Sequence, residues 1–205
     1  MDNDGGSMPE IQARLNSVHP CCSASDWMAV SGEVHYARNR SSFSEYTPIS
    51  AIASNIVPGL PSMRVIGIGT VRLQVLKRKG SDDANEIVLK GVMHIPTAVC
   101  NGFHAMNYMR ESGNGLTLAD DCWQGFSVAR DGSHQREPVW YAEDVGLFDI
   151  GGLGRLKLAG IPQGESPVAG SPDTQDAAFS LSIILTEEER RVVDSLKEAR
   201  VPGSY

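Results

Sequence analysis

The sequence predicts a mainly β protein, a closed barrel or sandwich of short strands, with one α-helix near the C-terminus. Three observations carry that expectation. From Trp27 onward, short runs rich in valine and isoleucine are broken about every ten residues by Gly, Pro, Asn and Asp clusters, the texture of an all-β domain. In "RVIGIGTVRLQVL", alternate residues Val65, Gly67, Gly69, Val71, Leu73 and Val75 fall on one face, as a half-buried strand requires. Near the end, Thr186 stands three residues before Glu189, the capping-box spacing that starts a helix.

Taken in order, residues 1–24 form an N-terminal arm with one weak apolar pattern (Ile11, Leu15, Val18). Strands are expected near "WMAVSG" (27–32), "SAIASNIVP" (50–58), "MRVIGIGTVRLQVL" (63–76) and "NEIVLKGVMHIP" (85–96). Two more follow near "GLTLADDCWQGFSVARD" (115–131) and "PVWYAEDVGLFDI" (138–150), so the β-domain runs from 25 to 160. The glycines of the "VIGIG" strand lack a side chain and let the backbone bend or lie close to another chain. A linker rich in Pro, Gly and Ser spans 161–180. The run "FSLSIIL" (179–185), a strand or docking segment, leads into the segment 181–205 with its helix. Glu187 and Glu188 suit its N-terminal dipole, Val192, Val193 and Leu196 make its apolar stripe, and Pro202–Gly203 stop it.

Composition narrows the function. The chain has 205 residues, 41% apolar and 21% charged, enough to bury a sizeable core. Its formal charge of -7 speaks against a nucleic-acid partner, since phosphate contacts need a basic surface. The one basic run, Lys77–Gly80, is followed by Asp82 and Asp83 and reads as a charged hairpin tip. No apolar run is long enough for a membrane span, and the acidic start lacks the pattern of a secretory signal. An intracellular setting, cytoplasm or nucleus, with free thiols is therefore expected for Cys21, Cys22, Cys100 and Cys122. His19 to Cys22 ("HPCC") has no partner motif at zinc-ligand spacing, so no metal or other cofactor is expected.

Five blocks, in order, then carry a family resemblance. "DWMAVSGEVHYARNRSSFSEYTPI" is followed by "VIGIGTVRLQV", "IVLKGVMHIPTAVCNGFHAMNYM", "GLTLADDCWQGFSVARDG" and "VGLFDI". Together they resemble the protease-like β-barrel of copia-type retrotransposon Pol polyproteins, a relative of the retropepsins. Trp27, Ser31, Gly32, Asn39, Phe43 and Tyr46 stand where that family's first block has its matching residues. Val65–Val71 matches its glycine-rich strand, and Leu89–Pro96 its "L-x-x-V-L-x-V-P" element. Cys100–Asn101 begins its next element, which then diverges as Gly102–Phe103–His104. The resemblance covers about residues 25–155 and implies a closed acid-protease-like (retropepsin-like) β-barrel with the helix appended.

The same resemblance implies a two-fold dimer in which each chain supplies one aspartate from a D-[ST]-G loop. The two carboxylates share a proton and activate water. Here the aspartate position is Val30, which cannot titrate. Asp26 is four residues earlier, about 13 Å along a strand, and cannot replace it. The family's histidine falls on Tyr36, with His35 one residue early, and Glu33 replaces an alanine. Val30, Ser31 and Gly32 thus form a degenerate loop with no catalytic residue. Gly32 is expected to serve the loop through backbone conformations that other residues avoid.

The expected function is a retrotransposon-derived pseudoprotease that binds a protein or extended peptide by β-addition, with Gly67, Ile68 and Gly69 framing the groove. A monomer is favoured over the retropepsin-type homodimer, and the Thr186–Arg200 helix is expected to dock on the barrel or on a partner. The alternative is a residual or repurposed hydrolase of aspartic-endopeptidase ancestry with an unidentified nucleophile, although no G-x-S-x-G elbow is present. Trp27, Trp123 and Trp140 read as core or rim aromatics, and His94 as a satisfied core or edge histidine.

Overall fold

The computed structural model describes residues 26–56, 58–118, 121–128, 135–144, 154–160 and 182–198. The N-terminal arm, with Cys21, Cys22 and His19, lies outside them, as does the whole 161–180 linker. Eleven strands form among the described residues: β1 (Trp27–Ala29), β2 (Tyr36–Ala37), β3 (Phe43–Asn55), β4 (Met63–Leu76), β5 (Ala84–His94), β6 (Asn101–Phe103), β7 (Gly115–Leu118), β8 (Cys122–Val128), β9 (Arg136–Asp144), β10 (Gly154–Leu156) and β11 (Ile183–Ile184). Two helices accompany them, α1 (Ala105–Ser112) and α2 (Glu187–Glu198).

The strands make one ladder in the order β11-β3-β4-β5-β2-β6-β1-β10-β9-β8-β7. The expectation of a mainly β fold holds, but the expected closure does not, because the sheet is not closed into a barrel. Its ends, β11 and β7, lie at opposite edges of the ladder. The sheet does fold back on itself at one place. Leu76 donates its N–H to the carbonyl of Lys157 (2.8 Å), Ala159 donates to Gln74 (2.8 Å), and Val75 bridges to Leu158. The tail of β10 thereby stitches the far end of β4 to the middle of the ladder.

Near β1 the topology interlocks. β6 inserts between β1 and β2, parallel to β1 (Trp27 opposite Asn101) and antiparallel to β2 (Tyr36 opposite Gly102). Asn101 is buried and fixes this junction: its side chain accepts from the N–H of Arg38 (2.8 Å) and donates to the carbonyl of Asp26 (3.1 Å). β1 is buried on both faces. Trp27 and Ala29 join one apolar cluster with Phe43, Val71, Leu89, Phe103 and Trp140. Met28 and Val30 point the other way, into a second cluster with Val65, Ile68, Met93, Ile95, Ile183 and Leu185.

Several elements differ from expectation for identifiable reasons. β3 starts at Phe43, well before the expected strand at 50, because Pro48 is accommodated beside a register shift between Pro48 and Ala51. The run from 115 is two strands paired as a hairpin, β7 and β8, with Leu118 opposite Trp123. α1 was not foreseen. Ala105 and Tyr108, three residues apart, supply its buried side, and Gly113 in the left-handed region caps it by donating to Met109. In α2, of the expected apolar stripe, Val193 is buried and Val192 is 40% exposed, while the side chain of Leu196 lies outside what is described.

Candidate functional site

The Val30–Gly32 loop begins where β1 ends. Val30 donates its N–H to the carbonyl of Phe103 (2.9 Å), which aims its side chain into the second apolar cluster, where it is 3% exposed. The loop then turns outward. Ser31 is exposed and its hydroxyl shares a hydrogen bond with Ser182 (3.1 Å). Gly32 is buried with a φ outside the left-handed region, so the conformational reason expected for it does not apply. Space is the reason: a Cβ at Gly32 would stand 2.5 Å from the carbonyl oxygen and 2.7 Å from the nitrogen of Ile183. Only glycine lets the β11 backbone lie across the loop.

That close approach belongs to a larger contact. Glu33 donates its N–H to the carbonyl of Ile183 (2.8 Å), while β11 pairs on its other side with the end of β3, Ile183 opposite Asn55. Ile56 adds a bond from its N–H to Ser182 (3.1 Å). The Glu33 carboxylate accepts from the N–H of Leu185 (3.2 Å) and pairs with Arg190 on α2. Ser54 on β3 donates its hydroxyl proton to Glu189 (3.1 Å). The capping box is reciprocal: Thr186 donates its N–H to Glu189 (2.7 Å), and the N–H of Glu189 donates to the Thr186 hydroxyl (3.2 Å). Ile183, Leu185 and Val193 sink into the cluster that holds Val30. The segment 182–198 therefore covers the loop as a short strand followed by a capped helix.

The chemistry available at this loop is limited by these partners. Asp26 faces Arg155 (3.8 Å) at the start of β1, and Glu33 is held by Arg190, so neither carboxylate meets a second one at Val30. His35 is almost fully buried, stacked on Phe103, and its Nδ1 accepts from the N–H of His104 (3.1 Å). Burial, with a smaller contribution from His104, pushes its pKa down to about 3, and burial also lowers that of His104. Burial thus favours the neutral form of both rings. Among the described residues, no group of three His, Cys, Asp or Glu side chains could hold a metal ion.

The expected groove residues are covered by the chain itself. A Cβ on Gly67 would fall 2.1 Å from the Tyr46 ring, and one on Gly69 would meet the Glu45 carbonyl oxygen at 1.9 Å. Ile68 is buried in the second cluster. The glycines do permit close approach, but what approaches is β3 of the same hairpin, not a guest peptide. Ile68 thus shares a buried cluster with Val30, while Gly67 and Gly69 lie against β3, and the two sets form no open groove among the described residues.

Tyr46 also completes a polar corner. The Nε2 of His94 faces the carbonyl of Arg38 (3.1 Å), which places the proton on that nitrogen and leaves Nδ1 to accept from the Tyr46 hydroxyl (2.9 Å). The hydroxyl proton is shared with the carbonyl of Ile66 (3.1 Å), and the guanidinium of Arg40 lies 4.0 Å above the Tyr46 ring. His94 is a satisfied histidine, lowered in pKa chiefly by burial. Trp27 and Trp140 are buried, and Trp123 packs against the first cluster. Among the described residues, Cys100 is buried, Cys122 is half-buried, and neither is in a disulfide.

Sequence reasoning missed the partners of the loop. Glu33 and the apolar "SIIL" run are both visible in the sequence, but nothing local says that they meet. Among the described residues, no helix is long and apolar enough to cross a membrane. No protein-family model, curated protein or solved structure matches the chain.

Proposed function

We propose that this chain is a retrotransposon-derived, catalytically inactive retropepsin-like domain that acts as a protein- or peptide-binding module. The observation that carries the proposal is Val30. It occupies the position of the family's aspartate, it is buried in an apolar cluster, and no carboxylate pair forms beside it. General acid–base catalysis contributes roughly 10²–10⁴-fold per group, and both members of a symmetric pair are missing. Binding is supported by the form of the loop, which already accepts an extended strand through backbone hydrogen bonds, as β-addition does. A monomer is favoured, because the surface that a two-fold partner would use carries the chain's own segment. The histidines do not favour a repurposed hydrolase: Ser31 bonds to Ser182, while His35 and His94 serve backbone and tyrosine groups.

The test is incubation of the purified chain with a diverse peptide library at acidic and neutral pH. Retention of some peptides without cleavage is the expected result. Cleavage by the unmodified chain would overturn the pseudoprotease assignment, and failure to retain any peptide would overturn the binding role.

A further inference from the structure

We infer that the surface formed by the Val30–Glu33 loop and the end of β3 is a recognition site for a strand-then-helix segment, and that residues 182–198 are its resident, displaceable ligand. The inference rests on the peptide-binding role proposed above and names both the place and the chemistry of what is bound.

Three features separate this segment from the sheet it covers. Its ladder is two residues long, Ile183 and Ile184, and its apolar anchors are Ile183, Leu185 and Val193. The helix that follows has 12 residues, a length that is marginal in water without packing. Its charged clasp, Glu33 with Arg190, is nearly half exposed on both sides. An element held by so few buried groups opens locally far more readily than the long β3–β4–β5 hairpins.

What lies beneath, by contrast, is built to be covered. Val30, Ala53, Val65 and Ile95 share the cluster that the segment seals, and Gly32 leaves a backbone-width slot for a strand. The occupant must present an apolar residue at the slot, where Ile183 sits, and a second apolar residue two positions on. A Ser/Thr-x-x-Glu cap and a basic residue to meet Glu33 complete the pattern. The chain positions 161–181 between Gly160 and Ser182 are long enough for the segment to leave without disturbing the sheet. Twenty-odd residues can span up to about 70 Å when extended. A partner protein carrying this pattern would compete with the tethered copy, whose advantage is that its binding is intramolecular.

The experiment uses the full chain and a fluorescent synthetic peptide of residues 180–199, with binding read by anisotropy. The wild-type chain should bind it weakly. The Ile183→Asp chain, whose own segment cannot seat, should bind at least about tenfold more tightly, because the tethered competitor is gone. A peptide that itself carries Ile183→Asp should not bind. Equal binding of both peptides, or no binding to a folded Ile183→Asp chain, overturns the inference. Should that variant fail to fold, the exposed clasp decides. An Arg190→Glu peptide must prefer the Glu33→Arg chain over the wild type, and equal affinity overturns the inference. Dimerisation of the Ile183→Asp/wild-type mixture with no peptide uptake would assign the site to a second copy and also overturn it. Hydrogen exchange at the Glu33 and Leu185 amides separates this outcome from the broader binding role. If library peptides bind while those amides stay protected, the binding role stands and the site assignment falls.

Discussion

The Val30–Glu33 loop and the Tyr46–His94 corner are closed in opposite ways. The loop is sealed by a segment about 150 positions away, through Leu185 and Arg190 on Glu33. The corner is sealed within neighbouring hairpins, Tyr46 reaching Ile66 and His94 at separations of 20 and 48 residues. Distance along the chain is a minor part of the energetic difference, since loop-closure entropy grows only logarithmically, by about 1 kcal/mol between these separations. The larger contrast is chemical. The loop hides an apolar side chain under a removable cover, whereas the corner fixes a tyrosine and a histidine by hydrogen bonds inside permanent strands.

The most severe way to break this contrast is to restore the carboxylate. In Val30→Asp the acid would enter an apolar cluster with Met28, Val65, Ile68 and Ile183, and an uncompensated buried charge costs about 3–5 kcal/mol. Chemical denaturation should show a loss of that order at neutral pH. An unchanged midpoint would mean that position 30 is not sealed and that the cover is already open in solution.

Acid should act next, through the residue that follows the loop. His35 has a folded pKa of about 3 against an ordinary 6.5, so below pH 6.5 the unfolded chain binds a proton that the folded chain refuses. Its neutral packing therefore contributes fully above pH 6.5, and stability falls as pH drops from there toward 3. The slope from this one group is about 1.4 kcal/mol per pH unit. His35→Asn keeps an acceptor for the His104 N–H and removes the titration, so the slope between pH 6 and 4 should flatten, with His94 and His104 supplying what remains. An identical slope in the variant would show that His35 is not the group responsible.

Tyr46→Phe tests the corner on its own terms. It keeps the ring over Gly67 but deprives His94 Nδ1 of its donor, a loss of about 1–2 kcal/mol. The peptide-uptake assay at the loop should not respond, because the two regions are closed independently. A change in uptake would join them into one cooperative unit.

Much of this architecture can be read from residue patterns, and the exceptions are instructive. The period-two run Val65–Val75 fixes β4, and Thr186 with Glu189 fixes the start of α2, because both signals are local and repeat within a few residues. β6, α1 and β10 escape notice since each is short and owes its existence to pairing or packing with distant chain. Asn101 shows the limit well. Its type says only that it is polar, and its two bonds to Arg38 and Asp26 exist only once β6 has entered between β1 and β2. Gly32 was singled out for the wrong physical reason: the requirement for no side chain comes from Ile183, which nothing near residue 32 announces.

The gentlest probe bears on how the cover is held. Arg190 meets Glu33 at a site where both side chains are between two-fifths and one-half exposed, so Arg190→Ala should cost only about 0.2–1 kcal/mol of global stability. Its local effect should be easier to detect. The Glu33 carboxylate also accepts from the Leu185 N–H, and without Arg190 it is freer to turn away into water. Exchange of the Leu185 amide should then quicken severalfold while amides in β4 and β5 keep their protection. That pattern would locate the weak seam of the molecule between the loop and its cover. Uniform quickening across the sheet would instead make segment 182–198 an integral part of the core, opening only when everything else does.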